Sequence, residues 1–133
     1  MTCQLVSSGK AKYLLLVHLI FVVKYRKKLL RQYGDEVKAK MIEISTRSNF
    51  EIDTIEVDAD HVHLLVSYEP HISISQIVRV LKGETTHDLW AKHEPALRLQ
   101  FWKHHLFWSP SYFACSVGNA SQEVIRHYIE NQG

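Results

Sequence analysis

The apolar positions of this chain recur with two different periods, which predict strands and helices in turn. An apolar run over residues 13–23, interrupted only by His18 and rich in β-branched and large side chains, predicts a central strand covered on both faces. Two shorter runs, 50–57 and 61–67, are separated by an acidic turn and predict a β-hairpin. A last strand is expected over 106–117, after a polar and aromatic stretch, 92–103, that is expected to be irregular.

Apolar residues at helical spacing predict three helices between and after these strands. The first is expected to open at Gly34, and the second begins with a capping box in which Ser73 and Gln76 bond reciprocally. Gly83 is expected to interrupt the second helix. Asn119 is a suitable cap for a third helix that runs to the C-terminus.

The resulting order, β-α-β-β-α-β with one more helix, is that of a ferredoxin-like (RRM-like) α+β fold. Its antiparallel sheet would carry two helices on one face and leave the other free for a ligand. The length of 133 residues predicts a single domain, 1–133, and the net charge of +2 excludes general polybasic character. Two distant cysteines indicate a reducing cytoplasm, and residues 13–23 are too few to cross a membrane.

One strand carries a candidate metal site. His61 and His63 are two residues apart and therefore project from the same side of the strand, where two imidazoles can bind one ion. The same pattern is equally typical of two structural histidines on a half-exposed strand. If the amide oxygen of Gln132 joined them, all three ligands would be neutral, and a divalent ion would keep its full charge for a phosphate. The ligand types do not distinguish Mg²⁺ from Mn²⁺.

The predicted last helix carries a candidate nucleophile. Tyr128 and Gln132 are four residues apart and share one helix face. Tyr128 also continues an apolar stripe with Val124 and Ile125, which is typical of a core residue. A phenol with a pKa of about 10 attacks a phosphate poorly unless a nearby cation favours its ionised form. A tyrosyl ester would conserve the phosphodiester energy for later rejoining.

Several of these segments together resemble a known family: the single-tyrosine HUH transposases (TnpA-type) of bacterial and archaeal insertion sequences that move as single-stranded DNA. The similar segments are residues 23–28, 60–64, 108–113, 117–119 and 124–132. The resemblance implies that Tyr128 attacks the scissile phosphate and forms a 5′-phosphotyrosine, with His61, His63 and Gln132 as metal ligands. It also implies homodimers joined through their sheets, with active sites shared between subunits, and recognition of hairpins at the ends of the element.

A basic segment after the first predicted strand is the candidate DNA-binding surface. Tyr25 is interleaved with the cations and offers a stacking face. The same charges are also typical of a solvated loop and helix start. The predicted DNA-binding residues are Lys24, Tyr25, Arg26, Lys27, Lys28 and Arg31, extended by Arg79 and Lys82 on the second helix.

Two other functions remain alternatives. One is a related HUH endonuclease that nicks hairpins of dispersed repeats or initiates replication. The other is a non-catalytic nucleic-acid-binding module of ferredoxin-like shape, which would carry paired stacking aromatics on its central strands. Those predicted strands carry aliphatic residues and histidine instead, which favours the transposase.

Overall fold

The computed structural model describes the backbone of residues 6–8 and 11–13 and all of residues 15–117 and 129–131. Within these ranges no helix is both long and apolar enough to cross a membrane. The elements in chain order are β1 (Val6–Ser8), β2 (Ala11–Tyr13), β3 (Leu16–Val22), α1 (Leu30–Thr46), β4 (Phe50–Val57), β5 (His61–Tyr68), α2 (Ile74–Gln100) and β6 (Phe113–Ser116), with a 3-10 turn at Lys24–Arg26.

Four strands form an antiparallel sheet in the order β4-β5-β3-β6, and β1 and β2 pair separately. The central strand β3 lies between β5 and β6, because its side chains are apolar on both faces. Leu19 and Phe21 point into the main core beneath the helices, whereas Ile20 and Val22 form a small cluster on the other face. The predicted ferredoxin-like fold is confirmed.

The helix α1 begins at Leu30. The predicted start at Gly34, four residues later, was therefore wrong. Leu30 and Tyr33 are both buried, so the first turn belongs to the core. The backbone N–H of Leu30 donates to the carbonyl of Ala59 at 3.0 Å. This bond satisfies an N-terminal donor that a side-chain cap would otherwise bind.

The hairpin of β4 and β5 is confirmed, with β5 one residue longer than predicted. The capping box at the start of α2 is also confirmed. Ser73 Oγ accepts from the backbone of Gln76, and the side chain of Gln76 accepts from the backbone of Ser73.

Two predictions about α2 were wrong. The helix continues through Gly83 and through most of the stretch 92–103, ending at Gln100. A kink at His93, two residues before Pro95, absorbs the steric conflict that a proline causes inside a helix. Leu97, beyond the kink, is fully buried, so burial in the core outweighs the polar local sequence.

The last strand is shorter than predicted. Of residues 106–117, only Phe113–Ser116 form a regular strand, although Trp108 makes an isolated bridge with Val23. Phe107 and Trp108 are buried, which explains the apolar pattern without a strand. The predicted terminal helix lies outside the described residues except for residues 129–131.

Alanine substitutions at the two helical glycines are expected to have opposite effects. Gly83→Ala should raise the free energy of unfolding by about 1 kcal/mol, because alanine favours a helix and its Cβ would meet nothing within 4 Å. In the matched Gly34→Ala variant the Cβ would lie 2.9 Å from Cγ1 of Val57, so we expect destabilisation. Urea denaturation measures both; equal stabilisation would contradict the packing of α1 against β4.

Candidate active site

The two histidines of the predicted metal pair lie at the start of β5, on the face of the sheet opposite the helices. His61 lies across from Val22 of β3, and His63 lies across from Ile20. Both imidazoles line a cavity of about 620 Å³. Because Val22 and Ile20 point away from the main core, their partners do the same.

The carboxylate of Asp60, in the turn before β5, is the electrostatic centre of this cavity. It is only 4% exposed, with Oδ1 3.0 Å from Nδ1 of His61 and Oδ2 3.3 Å from both Arg26 Nε and Lys28 Nζ. Burial alone would raise the pKa of Asp60, but the hydrogen bonds from His61, Lys28 and Arg26 outweigh it and hold the pKa below its usual value. The ionised Asp60 therefore accepts from His61 Nδ1–H, which leaves the lone pair on Nε2 for a ligand.

A third imidazole, that of His18 in β3, joins the site. Its Nδ1 lies 3.0 Å from Nε2 of His63, and the ring centroids are 5.2 Å apart. Burial, followed by the proximity of His18, lowers the pKa of His63, which favours the neutral ring that metals bind. His18 was not among the predicted site residues, although a histidine inside a buried central strand is a signal in itself.

The chemistry of these side chains fits a divalent metal ion. A carboxylate on Nδ1 of a histidine with Nε2 left for the metal is a common arrangement in metal sites, and His61 has it with Asp60. Among residues 15–117 and 129–131 no three His, Cys, Asp or Glu side chains are grouped to hold an ion. The predicted third ligand is Gln132. Gln132 and Tyr128 lie outside the described residues.

The short described segment 129–131 lies at the same cavity. Ile129 packs against Ile20 and Val22 on the open face of the sheet. The backbone carbonyl of Glu130 accepts a hydrogen bond from Arg26 Nη1 at 3.3 Å. Because this segment separates Tyr128 from Gln132 in the sequence, both predicted residues are attached directly to chain that borders the histidines.

The basic segment between β3 and α1 lies beside the cavity. Tyr25 is 62% exposed, with Lys24 Nζ 5.1 Å from its ring centroid. Lys27 Nζ donates to Gln100 Oε1 at 3.1 Å. Arg26, Lys28 and Arg31 line the cavity. The structure therefore brings three of the predicted DNA-binding residues, Arg26, Lys28 and Arg31, together with the histidines.

The other two predicted DNA-binding residues lie on α2, on the far side of the sheet. Arg79 is exposed. Lys82 is partly buried, donates to the carbonyls of Ser109 and Ser111 at 2.7 Å each, and lies 5.3 Å from the ring of Phe21. These contacts give Lys82 a structural role in holding the loop before β6.

A family model described as "Transposase IS200 like" matches residues 11–132. This chain belongs to the IS200-like transposase family. It is 36% identical over 121 residues to the ISDra2 transposase TnpA of Deinococcus radiodurans, covering 90% of this chain and 85% of that protein. It is 28% identical over 119 residues to the transposase for insertion sequence element IS200 of Salmonella typhimurium, covering 85% and 76%.

Solved structures agree with this membership. A crystal structure of a protein assigned as a transposase from Deinococcus radiodurans matches this IS200-like transposase with a TM-score of 0.85 and 32% identity, covering 95% of this chain and 96% of that one. A REP-associated tyrosine transposase bound to a REP hairpin matches with a TM-score of 0.58, covering 94% and 69%. At 18% identity the second likeness concerns the fold alone.

The pH dependence of stability provides a test of the position of Lys82. Burial lowers the pKa of this lysine from 10.5 to about 8. Between these values the unfolded chain binds more protons than the folded one, so this group makes the free energy of unfolding rise as the pH rises. We expect Lys82→Met to remove that part of the rise, as measured by chemical denaturation at about pH 8 and about pH 10.

Lys38→Met, which removes a lysine from an exposed position of α1, is the matched control for the loss of charge. If Lys82→Met and Lys38→Met change the pH dependence of the free energy of unfolding equally, the result contradicts the burial of the Lys82 ammonium.

Proposed function

We propose that this transposase cuts single-stranded DNA by attack of the Tyr128 hydroxyl on a phosphodiester and later rejoins the strand. The new bond joins the phenolic oxygen to phosphorus, while the bond to the 3′ oxygen breaks. This leaves a 5′-phosphotyrosine and a free 3′-OH, so a 3′-OH can reverse the step without ATP. One observation carries the proposal: Ile129 and Glu130, the residues directly after Tyr128, line the same cavity as His61 and His63.

The proposed metal ligands are His61, His63 and the amide oxygen of Gln132. A divalent ion, Mg²⁺ or Mn²⁺, would supply positive charge to the scissile phosphate and the departing oxygen. Asp60 supports this role because its hydrogen bond fixes His61 with Nε2 available. The lowered pKa of His63 acts in the same direction, since a protonated ring binds no ion.

The basic segment would bind the DNA strand that enters the cavity. Arg31 and Lys28 line the cavity and offer cations to phosphates, and Tyr25 offers an exposed ring for stacking. Lys24, Arg26 and Lys27 belong to the same segment. Arg79 would extend the surface on α2. Lys82 is the weakest candidate, because its ammonium is bound to two carbonyls.

The proposed substrate is a single strand with hairpin ends, and the proposed assembly is a homodimer with shared active sites. Within the described residues, β6 is an edge strand with β3 as its one neighbour, and an edge can pair with a second copy. We propose that residues 1–133 act as one domain. A cytoplasmic location follows if the substrate is the DNA of a bacterial or archaeal cell.

A covalent-adduct assay tests the reaction. Wild-type protein, a labelled single-stranded hairpin and Mg²⁺ or Mn²⁺ should give a protein–DNA adduct that survives denaturant. Tyr128→Phe, which lacks only the attacking oxygen, and addition of a chelator should each abolish the adduct. His61→Ala should lose cleavage and keep hairpin binding, because the proposed role of the imidazole is to bind the metal ion at the scissile phosphate and not to contact the hairpin.

Each other outcome has a defined meaning. Hairpin binding by wild-type protein without any adduct would identify a non-catalytic module and contradict the proposal. Equal loss of binding and cleavage in His61→Ala would contradict a catalytic metal. Cleavage without strand rejoining would favour the alternative nickase or replication initiator.

The salt dependence of hairpin binding tests the basic segment. If four or five of its cations meet phosphates, the logarithm of affinity should fall with the logarithm of salt concentration at a slope of roughly −3 to −4.5. Arg31→Gln should reduce the magnitude of this slope by about 1, as measured by fluorescence anisotropy. Lys38→Gln on α1 is the matched control. If both variants reduce the magnitude of the slope equally, the basic segment is not the surface that binds the DNA.

A further inference from the structure

We infer that Arg26 is a positioning residue that docks the segment carrying Tyr128 onto the face that carries His61 and His63. This inference rests on the proposed function and adds to it the side chain that holds the nucleophile. The guanidinium of Arg26 joins two parts of the site that are far apart in sequence. Its Nε lies 3.3 Å from Asp60 Oδ2, and its Nη1 lies 3.3 Å from the carbonyl oxygen of Glu130.

The backbone at Arg26 is held in a conformation that non-glycine residues rarely adopt. Tyr25 has φ 61° and Arg26 has φ 52°, so two consecutive residues are left-handed. Such a conformation persists only where the surroundings fix it, and it is most often found at functional sites. The Arg26 N–H donates to the carbonyl of Val23 at 2.8 Å, and the next residue beyond the turn, Lys27, returns to extended backbone. This turn directs the Arg26 side chain towards Asp60 and Glu130.

The Asp60 end of the link is rigid. The carboxylate is buried and also accepts from His61 Nδ1 and Lys28 Nζ, and its own backbone carbonyl accepts from Val23 N–H at 2.9 Å. The guanidinium of Arg26 is thus anchored to the residue that orients a metal ligand. Any group bound to its other nitrogen is held at a fixed place relative to His61.

The other end of the link is the short segment 129–131. Ile129 packs against the cluster of Ile20 and Val22, and Glu130 accepts from Arg26 through its backbone carbonyl. The apolar contact fixes the depth of the segment on the sheet, and the hydrogen bond fixes its position along the sheet. Tyr128 immediately precedes Ile129, so the proposed nucleophile is attached directly to the segment that these two contacts hold.

The geometry requires arginine rather than any cation. A guanidinium has several donors in a rigid plane, so it can bind a carboxylate through one nitrogen and a carbonyl through another. The ammonium of lysine is a single point with the same charge. Arg26→Lys therefore keeps the charge next to Asp60 and any attraction to DNA, but should lose the link to Glu130.

Hydrogen exchange in the full-length protein tests this link without catalysis. In Arg26→Lys, the amides of residues 129–131 should exchange on the order of tenfold faster, as expected for the loss of one hydrogen bond to a charged group. Adduct formation should slow by a similar factor. Because Gln132, the proposed third ligand, follows the same segment, Mn²⁺ affinity measured by calorimetry should fall as well.

Lys28→Met is the comparison variant, because Lys28 contacts the same oxygen of Asp60 at the same distance of 3.3 Å. Exchange at 129–131 should remain within about twofold of wild type. Ile129→Ser provides a second route should Arg26→Lys fold poorly. It removes the apolar contact, and should speed exchange at 129–131 and slow adduct formation.

Two results would overturn the inference: wild-type exchange at 129–131 in Arg26→Lys, or equally fast exchange in Lys28→Met. If wild-type protein forms no adduct at all, the proposed function fails. The exchange measurement still decides whether Arg26 docks the segment.

Discussion

The candidate site depends on one buried anion, the carboxylate of Asp60. Three donors converge on it from two sides: His61 on Oδ1, and Arg26 and Lys28 on Oδ2. A buried carboxylate without such partners would be unstable in its charged form, and its removal would leave two neighbouring cations without an acceptor. The same ion therefore sets the tautomer of His61, holds the strained turn at Arg26 and joins β5 to the basic segment. The cavity is built around this charge rather than around an apolar pocket.

The central strand β3 relates the core to the site. Its residues alternate between the two faces, so Leu19 and Phe21 lie under the helices while His18 and Ile20 lie on the open face. Pairing with β5 brings His63 opposite Ile20 and next to His18. A shift of one residue in this register would turn the histidines of β5 into the core. The apolar face of β3, which packs under two helices, therefore fixes the position of the proposed metal ligands, His61 and His63, on the other face.

The sequence predicts those parts of the fold whose local pattern agrees with their packing. The hairpin of β4 and β5 and the capping box at Ser73 are of this kind, because alternation and cap chemistry act within a few residues. The course of α2 could not be predicted, since Gly83 and Pro95 oppose a helix locally and only the burial of Leu97 in the distant core supports it. The same division holds at the site. The pairing of His61 with His63 follows from strand period, whereas the approach of His18 and Arg26 depends on strand register and on a left-handed turn.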